Sequence, residues 1–537
     1  VEAVVVGSGP NGLVSSAILA DAGWSVLLLE AQDELGGAVK SRRVDDWTMD
    51  RFSACHPLAI ASPVLRDLEL EWHGLRWARS DTVLAHPLSG EDAVAAVIHR
   101  DRQVTAANLA DEHPSDGDAW LDLCAQYDGI KASFLDAMLT SWPPVNAARK
   151  LARQLGGTPE LLRFARFLAL PAYRMGEELF RGKRGRALLG GNAMHADAPA
   201  DAPVSGVMGW LLAMLAQDVG FPSPVGGAGE LTAALASRAR SAGAVLQAGE
   251  PVSGIEVSCG TAKAVHTASG QTIRATKAIV CDVAATALYC QLLSATDLPS
   301  TLRDDLDSFE WDLPTVKVNY RLRSTPGWTA EHARTAGVIH LGCDADELVH
   351  WSAALNTRRK PVTPFALVGQ MSTIDPTRSP PGTQALWAYS HLPRGIIGEA
   401  AAHELAQEID QLLDSYAPGF ADLIIDREVQ TPTMMVGENA NLVNGAIGGG
   451  TAQLFQQLVF RPVPGLGGAR TVIDNLYLGS AAIHPGGGVH GACGALAARA
   501  ALQDHGRVGG LKRRAASLLL DRFYRERALT GSTRSAR

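Results

Sequence analysis

Val4-Val5-Val6-Gly7-Ser8-Gly9-Pro10-Asn11-Gly12 opens the chain, and an apolar run from Leu13 to Ala22 follows it directly. Gly23 ends that run, and Trp24 to Leu29 reads as a second strand closing on Glu30. Strand, glycine turn, helix, strand and acid in that order form the pattern of a dinucleotide-binding turn. Gly7 permits the tight turn, Gly9 lets backbone approach a pyrophosphate, and Gly12 lets the helix lie close to the strand. Ser8, Pro10 and Asn11 complete the turn. The unpaired N–H groups at the helix start face the phosphates, and the helix dipole favours their charge. Glu30 stands where a carboxylate can accept hydrogen bonds from both hydroxyls of a ribose. The turn alone does not separate NAD from FAD. Gly36-Gly37 would let the chain fold back over the dinucleotide toward a flavin.

With 537 residues the chain exceeds one simple core, so two or three domains or one interleaved pair are expected. A hydrophobic content of 46% and a charged content of 19% are those of a globular protein. The net charge of −8 argues against a general nucleic-acid binder. Seven cysteines lie scattered with no CxxC, which argues against a disulfide framework, a zinc ribbon and a thiol-disulfide reductase. No metal site is expected, and a reducing, cytoplasmic compartment fits best. No signal peptide is visible, and the missing initiator Met points to a trimmed N-terminus. The longest apolar run, Val207 to Ala216, is too short to span a bilayer and reads as a buried helix.

Further along, Phe52-Ser53-Ala54-Cys55-His56-Pro57 offers His56 either as a neighbour of a flavin or as a loop histidine held by backbone bonds. From about Arg76 to Pro224 the character turns helical, over Asp118 to Thr140 and Pro159 to Phe180. Met175, Phe180, Met194, Met208, Trp210, Leu211, Leu212 and Met214 are numerous enough to line an apolar cavity. Core packing is the ordinary use of each one. Glu230 to Ala242 reads as a helix, and Ala244 to Glu256 as two strands. Gly227-Ala228-Gly229 has no strand before it and is rejected as a second nucleotide turn. Thr272 to Cys281 reads as one strand returning to the first domain. Asp307 to Arg323 and Thr383 to His391 read as strands of a second sheet, and Ala400 to Tyr416 as a helix.

The second landmark is Leu476-Tyr477-Leu478-Gly479-Ser480, a strand, followed by a loop from His484 to Gly491 holding Gly486-Gly487-Gly488. Ala492 to Leu502 then reads as a helix. Such a loop can press N–H groups against a cofactor. The two ends of the chain are therefore expected to meet at one cofactor. Beyond it, Gly506 to Arg537 is strongly basic, and Leu511, Ala515, Leu518, Leu519 and Phe523 can share a helical face. That tail reads as a contact for anionic lipid or a partner, or as a helix packed on its own domain with a frayed end.

These pieces together resemble the phytoene desaturase and carotenoid isomerase-like branch of the FAD-dependent oxidoreductases, which is related to the amine oxidase superfamily. The resemblance is carried by Gly7 to Gly12, Glu30, Gly36-Gly37, Pro224 to Gly227, and Ile279-Val280-Cys281-Asp282. It also rests on Gly448-Gly449-Gly450 with Gln453, Gln457, Arg461 and Pro462, and on His484 to Gly491. The form with His490 is more similar to a subfamily widespread in bacteria and also found in mitochondria than to carotenoid desaturases.

The resemblance implies an α/β fold, with a Rossmann-like FAD-binding domain interleaved with an α+β substrate domain. Residues 1–75, 225–305 and 441–505 would form the first, 76–224 and 306–440 the second, and 506–537 the basic tail. Noncovalent FAD would lie between the glycine turn, with Ala31 and Ala38 beside it, and the C-terminal loop. Val252 would meet the adenine, Gly479 and Ser480 the pyrophosphate or ribityl chain, and Gly487, Gly488, Val489 and His490 the flavin. The implied activity is dehydrogenation or desaturation of an apolar lipid, isoprenoid or conjugated substrate by hydride transfer to flavin. With no second nucleotide site, oxygen or a quinone would be the acceptor. His490 is the candidate for stabilising reduced-flavin charge. Arg461 either orients a polar substrate end or pairs with a carboxylate. A non-redox isomerase, an amine oxidase and a flavin-bound scaffold without turnover are the other readings. Amine oxidation would want an aromatic cage, and the C-terminal loop offers no paired aromatics. Peripheral membrane contact through the substrate domain or the tail is a further expectation. The sequence leaves the oligomeric state open.

Overall fold

The computed structural model describes residues 1–88, 93–506, 509, 510, 513, 520, 523 and 524. Two sheets organise them. The first has five parallel strands in the order Leu476–Leu478, Ala278–Cys281, Ala3–Val6, Val26–Leu29 and Val245–Gln247. Val5 sits at its centre, in register with Val280 on one side and Leu28 on the other. Its central strands read AVVV, VLLL and AIVC, as continuous apolar runs do when helices cover both faces. Helix Pro10–Asp21 leaves the central strand through the glycine turn, with Pro10 at its first position, where no N–H bond is lost. It packs against Ala492–Asp504, the helix that follows the C-terminal glycine loop. A Cβ on Gly494 would overlap the Asn11 carbonyl there, so the two helices meet backbone to backbone.

The second sheet has seven strands in the order Ile424–Gln430, Thr315–Leu322, Gln384–His391, Ala366–Gln370, Ala336–Leu341, Thr82–Pro87 and Ala95–His99. All its pairings are antiparallel except Ala336–Leu341 with Thr82–Pro87. Alternation divides its faces. Val316, Val318, Leu386 and Ala388 join the core beneath helix Glu399–Tyr416. Thr315, Lys317, Trp387, Tyr389 and His391 point the other way, into a cavity. A helical layer built from Pro114–Leu139, Thr158–Ala169, Lys183–Ala193 and Ser205–Asp218 has its own core around Trp120, Tyr127 and Trp210.

The stretch Thr272 to Cys281 departs from its expected form. It is two strands, Thr272–Arg274 and Ala278–Cys281. The first belongs to an antiparallel sheet with Val252–Ser258 and Thr261–Thr267. The chain changes hydrogen-bond partner between them, from Lys263 to Glu2, and must break to do so. Likewise Asp307 to Arg323 begins in helix Ser300–Asp307, and only Thr315–Leu322 is strand. Pro159 to Phe180 is broken into Thr158–Ala169 and Ala172–Leu179 at Pro171.

Of the basic tail, Leu511, Lys512, Arg514, Ala515, Leu518 and Leu519 lie outside the described residues. Where it is described, it rests on the body of the protein. Arg513 donates to Asn475 Oδ1 at 2.7 Å, and buried Tyr524 donates its hydroxyl to the Pro464 carbonyl at 3.0 Å. Among the described residues no helix is long and apolar enough to cross a membrane.

Candidate active site

A cavity of about 770 Å³ joins the two sheets. Gly7, Ser8, Gly9, Pro10, Asn11, Glu30, Ala31, Gly37, Ala38 and Val252 line one part of it. Ser480, Gly487, Gly488, Val489 and His490 reach it from the far end of the chain. Gly12, Gly36 and Gly479 stand behind this lining. A Cβ on Gly12 would overlap the Gly7 carbonyl oxygen, Gly36 donates its N–H to Ser8 O at 3.1 Å, and Gly479 packs on Ala497 and Val280.

The turn is braced by two acids. Glu30 Oε2 accepts from the Ser8 N–H at 2.8 Å and the Ser8 hydroxyl at 2.5 Å, and Oε1 accepts from Gln32 N at 2.9 Å. A carboxylate has about four acceptor positions, so one remains toward the cavity. Asp282 was not among the expected site residues. Its Oδ2 accepts from Gly12 N at 2.8 Å, and burial, with Glu30 nearby, pushes its carboxyl up to about 7. The signal that could have found it is its place one residue past a buried strand, at the carboxyl edge where such sheets bind ligands.

His490 is buried, and its ring state follows from one bond. Ala492 N–H donates to His490 Nδ1 at 3.0 Å, so the neutral ring carries its proton on Nε2. Among the described residues Nε2 makes no hydrogen bond although it is fully buried, and the Gly486 and Gly487 carbonyls lie close to the ring. Burial pulls the ring down to about 4, which keeps it neutral. A lone buried donor on the wall of this cavity fits an electron-rich cofactor edge. The start of helix Pro10–Asp21, where Asp282 already takes the Gly12 N–H, still points its dipole at the place of a pyrophosphate, and the close pass of Gly37 over Gly9 fits a chain folded over it.

Arg461 departs from both of its expected roles. It lines the cavity, but among the described residues its guanidinium makes no carboxylate pair and its N–H groups go to backbone carbonyls. Nε donates to Ala481 O at 2.8 Å, Nη1 to Thr451 O at 3.0 Å, and Nη2 to the Gly448 and Gly449 carbonyls at 3.0 Å each. It is a clamp that ties the triple-glycine loop to the strand end at Ala481. His56 also lines the cavity. Its ring bonds to Ser53 Oγ at 2.9 Å rather than to backbone, and Nδ1 has no partner.

The cavity's other part is apolar. Met194, Met208, Leu211, Leu212, Phe221 and Val338 line it, while Met175, Phe180, Trp210 and Met214 serve the core. Helix Ser205–Asp218 explains the split. Val204, Met208, Leu211 and Leu212 share its cavity stripe, and Val207, Trp210 and Met214 turn inward. Opposite stand Trp387 and Tyr389, with ring centroids 5.8 Å apart and planes at 26°. These paired aromatics lie on a strand, not in the C-terminal loop. The sequence signal was the alternation Trp387, Tyr389, His391, which puts three rings on one face.

Four polar groups interrupt this lining. Lys317 Nζ donates to the Asp50 carbonyl at 2.5 Å, and burial draws its amine down to about 7 against the pull of Asp50. Burial and the nearby Asp312 push Asp197 up to about 7, opposed by Arg394 at 3.6 Å. His195 meets His340 with Nε2 to Nε2 at 2.9 Å, and His391 contacts Tyr389 edge-on. Elsewhere, the start of helix Gly229–Ser241 is taken by protein groups, Asp50 on Ala228 N and Ser41 on Gly229 N.

The profile of the family called flavin containing amine oxidoreductase matches residues 12–502. Pyridine nucleotide-disulfide oxidoreductase domain-containing protein 2 of Mus musculus is 25% identical over 558 residues, covering 94% of this chain and 93% of that one. A limonene dehydrogenase component from Castellaniella defragrans is 28% identical over 157 residues, 29% of this chain and 27% of that one. The solved structure of cyclohexylamine oxidase from Brevibacterium oxydans superposes with a TM-score of 0.56 at 16% identity, covering 93% and 98% of the two chains. The chain belongs to the flavin-containing amine oxidoreductase family and is an FAD-dependent oxidoreductase.

Proposed function

We propose that this protein dehydrogenates or desaturates a largely apolar substrate of the lipid, isoprenoid or conjugated kind, within the phytoene desaturase-like branch. The observation that carries this is the continuity of one cavity from the dinucleotide turn to the Met- and Leu-lined wall. The likeness of part of the chain to the limonene dehydrogenase component supports it. In this reading residues 1–75, 225–305 and 441–505 hold noncovalent FAD, and residues 76–224 and 306–440 hold the substrate.

FAD, when bound, supplies the hydride acceptor, with oxygen or a quinone taking the electrons onward. The protein's part is placement and charge. Met208, Leu211 and Leu212 press an apolar chain toward the aromatic pair and exclude water, which fixes the reacting C–H bond. The buried Nε2–H of His490 faces the cavity as a donor for negative charge at its edge. Lys317, an amine drawn down to about 7, can accept the proton that leaves with the hydride.

Amine oxidation is the second reading. The aromatic pair Trp387 and Tyr389, with carboxyls Asp197 and Asp312 on the same cavity, would suit a cationic substrate end. Anaerobic mixing of the flavin-loaded protein with a lipid extract of its host, and separately with a panel of primary amines, distinguishes the two. Bleaching of the oxidised flavin by the extract alone is the expected result. Bleaching by amines alone would install the second reading, and no bleaching by either would remove both.

A further inference from the structure

We propose that His195, backed by His340 and His86, takes the proton from a hydroxyl group of the substrate, so that the substrate is an apolar alcohol and the product its carbonyl compound. This deepens the apolar-substrate reading and rests on it.

Three elements bring the rings together. Strands Thr82–Pro87 and Ala336–Leu341 lie side by side with Ala85 in register with Ile339, so the next residues, His86 and His340, leave neighbouring strands on one face. Their ring centroids are 5.5 Å apart. Helix Lys183–Ala193 crosses them at Gly191, where a Cβ would overlap His340 Nδ1 and stand 2.9 Å from His86 Nδ1. His195 follows just past the end of that helix, its Nε2 2.9 Å from His340 Nε2. Of the three only His195 lines the cavity, against Phe221 at 5.6 Å between ring centroids. His86 and His340 are fully buried.

The hydrogen bonds order the protons. The Cys343 carbonyl accepts from His86 at 2.9 Å, so that neutral ring carries its proton on Nε2 and its Nδ1 is bare. His340 Nδ1 borders the same point beside Gly191. With a proton there it meets the bare nitrogen, whereas the other tautomer would oppose two lone pairs. His340 Nε2 is then bare and accepts from His195 Nε2–H, which leaves His195 Nδ1 bare as well. Among the described residues that last atom makes no hydrogen bond, and a hydroxyl is the substrate group that donates to it. Neither Nδ1 of the two buried rings makes a hydrogen bond among the described residues. Packing alone does not call for two unsatisfied buried nitrogens, because each costs stability.

The step balances as follows. As the hydride leaves the carbinol carbon for the flavin, the O–H bond breaks, the C=O bond forms and the proton adds to His195 Nδ1. His195 passes its Nε2 proton to His340 Nε2. His340 passes its Nδ1 proton to His86 Nδ1 across the space beside Gly191, directly or through one water. Burial draws His195 and His86 down to about 4, so the chain waits neutral, and Glu347 opposes that at His86, where the charge ends. For a hydroxyl proton His195 thus takes the place of Lys317, which is tied to the Asp50 and Phe52 carbonyls.

The test is anaerobic mixing of the flavin-loaded protein with a lipid extract of its host, before and after acetylation. Acetyl groups cap hydroxyls and amines alike, and mild alkaline methanolysis then frees the hydroxyls but not the amines. Bleaching by the untreated extract, its loss on acetylation and its return on methanolysis are expected. Bleaching that acetylation leaves intact would overturn the proposal and spare the apolar-substrate reading. Bleaching lost and not restored by methanolysis would overturn it in favour of an amine. No bleaching by the untreated extract would remove both readings. His195→Phe should slow bleaching on the order of 100-fold. His340→Phe and His340→Gln should slow it by similar factors, since Gln keeps a hydrogen bond to His195 but relays no proton. An unchanged flavin spectrum and melting temperature show that the variants are folded. Unslowed bleaching in His195→Phe, or the parent rate in His340→Gln, would overturn the proposal.

Discussion

Around the glycine turn the cavity wall is backbone, whereas against the seven-stranded sheet it is side chain. At the first place a Cβ on Gly37 would stand 3.0 Å from Gly9 Cα, and one on Gly9 2.5 Å from Asp282 Oδ2. At the second, Met208, Leu212, Trp387 and Tyr389 meet across open space. A backbone wall admits no added atom and recognises only what every dinucleotide shares. A side-chain wall can be redrawn by single substitutions and so sets what else enters. The difference locates shape tolerance and specificity in separate parts of one cavity.

Gly12→Ala should break the backbone wall with the largest effect. The new methyl must displace the Gly7 carbonyl, at a cost of roughly 3 kcal/mol, and bound flavin should be lost. Leu212→Ala at the other wall should keep its flavin. Thermal unfolding and the flavin to protein absorbance ratio measure both. A fully flavin-loaded Gly12→Ala protein would defeat the contrast.

Arg461→Lys comes next. An ammonium has three donors and cannot span the carbonyls of Gly448, Gly449, Thr451 and Ala481, so about 2–3 kcal/mol of stability should go. Calorimetry reads this directly. An unchanged melting temperature with altered substrate affinity would return Arg461 to the substrate.

A smaller effect sharpens the picture at the flavin wall. His490→Phe removes a buried donor, so reduced cofactor should lose stabilisation and the two-electron midpoint potential should fall by roughly 30–60 mV. A redox titration without substrate suffices, and an unmoved potential removes His490 from the cofactor.

A pH dependence reaches both walls through Asp282 and Asp197, both pushed up to about 7. An unfolded carboxyl releases its proton near pH 4, so between about pH 4 and about pH 7 the folded protein holds protons that the unfolded chain has lost. Stability from these groups is therefore lost as pH rises through that window. Buried histidines drawn down to about 4, His490 and His195 among them, act in the opposite sense, so the contribution of Asp197 is read as a difference between variant and parent. Asp197→Asn should raise the melting temperature relative to the parent more at about pH 8 than at about pH 5, and an equal difference at both would show that Asp197 does not titrate there.

How much of this was legible from sequence follows the same divide. Gly7, Gly9, Gly12 and Glu30 could be read because a turn is local and its glycines are obligatory. The α/β class followed from the strands around them. Trp387 and Tyr389 were legible only as part of a strand, since the cavity they face is completed by residues from elsewhere in the chain. Arg461 was misread because its partners are carbonyls, which every residue carries and no residue type announces. Thr272 to Cys281 kept its strand pattern across a change of sheet, because the pattern records burial and not partner.

The parallel sheet sets a timetable for synthesis. Strand Ala3–Val6 and its turn leave the ribosome early, but the edge strand Leu476–Leu478 that completes the sheet comes about 450 residues after Leu29. At 5–20 residues per second that interval is roughly 20 to 90 s. For all of it the helix face that Ala492–Asp504 will cover stands open, and the side of Ala278–Cys281 that Leu476–Leu478 will cover waits about 195 residues, roughly 10 to 40 s. The cofactor pocket cannot close until the last tenth of the chain arrives, so an interrupted chain would carry an incomplete sheet and no means of sealing it.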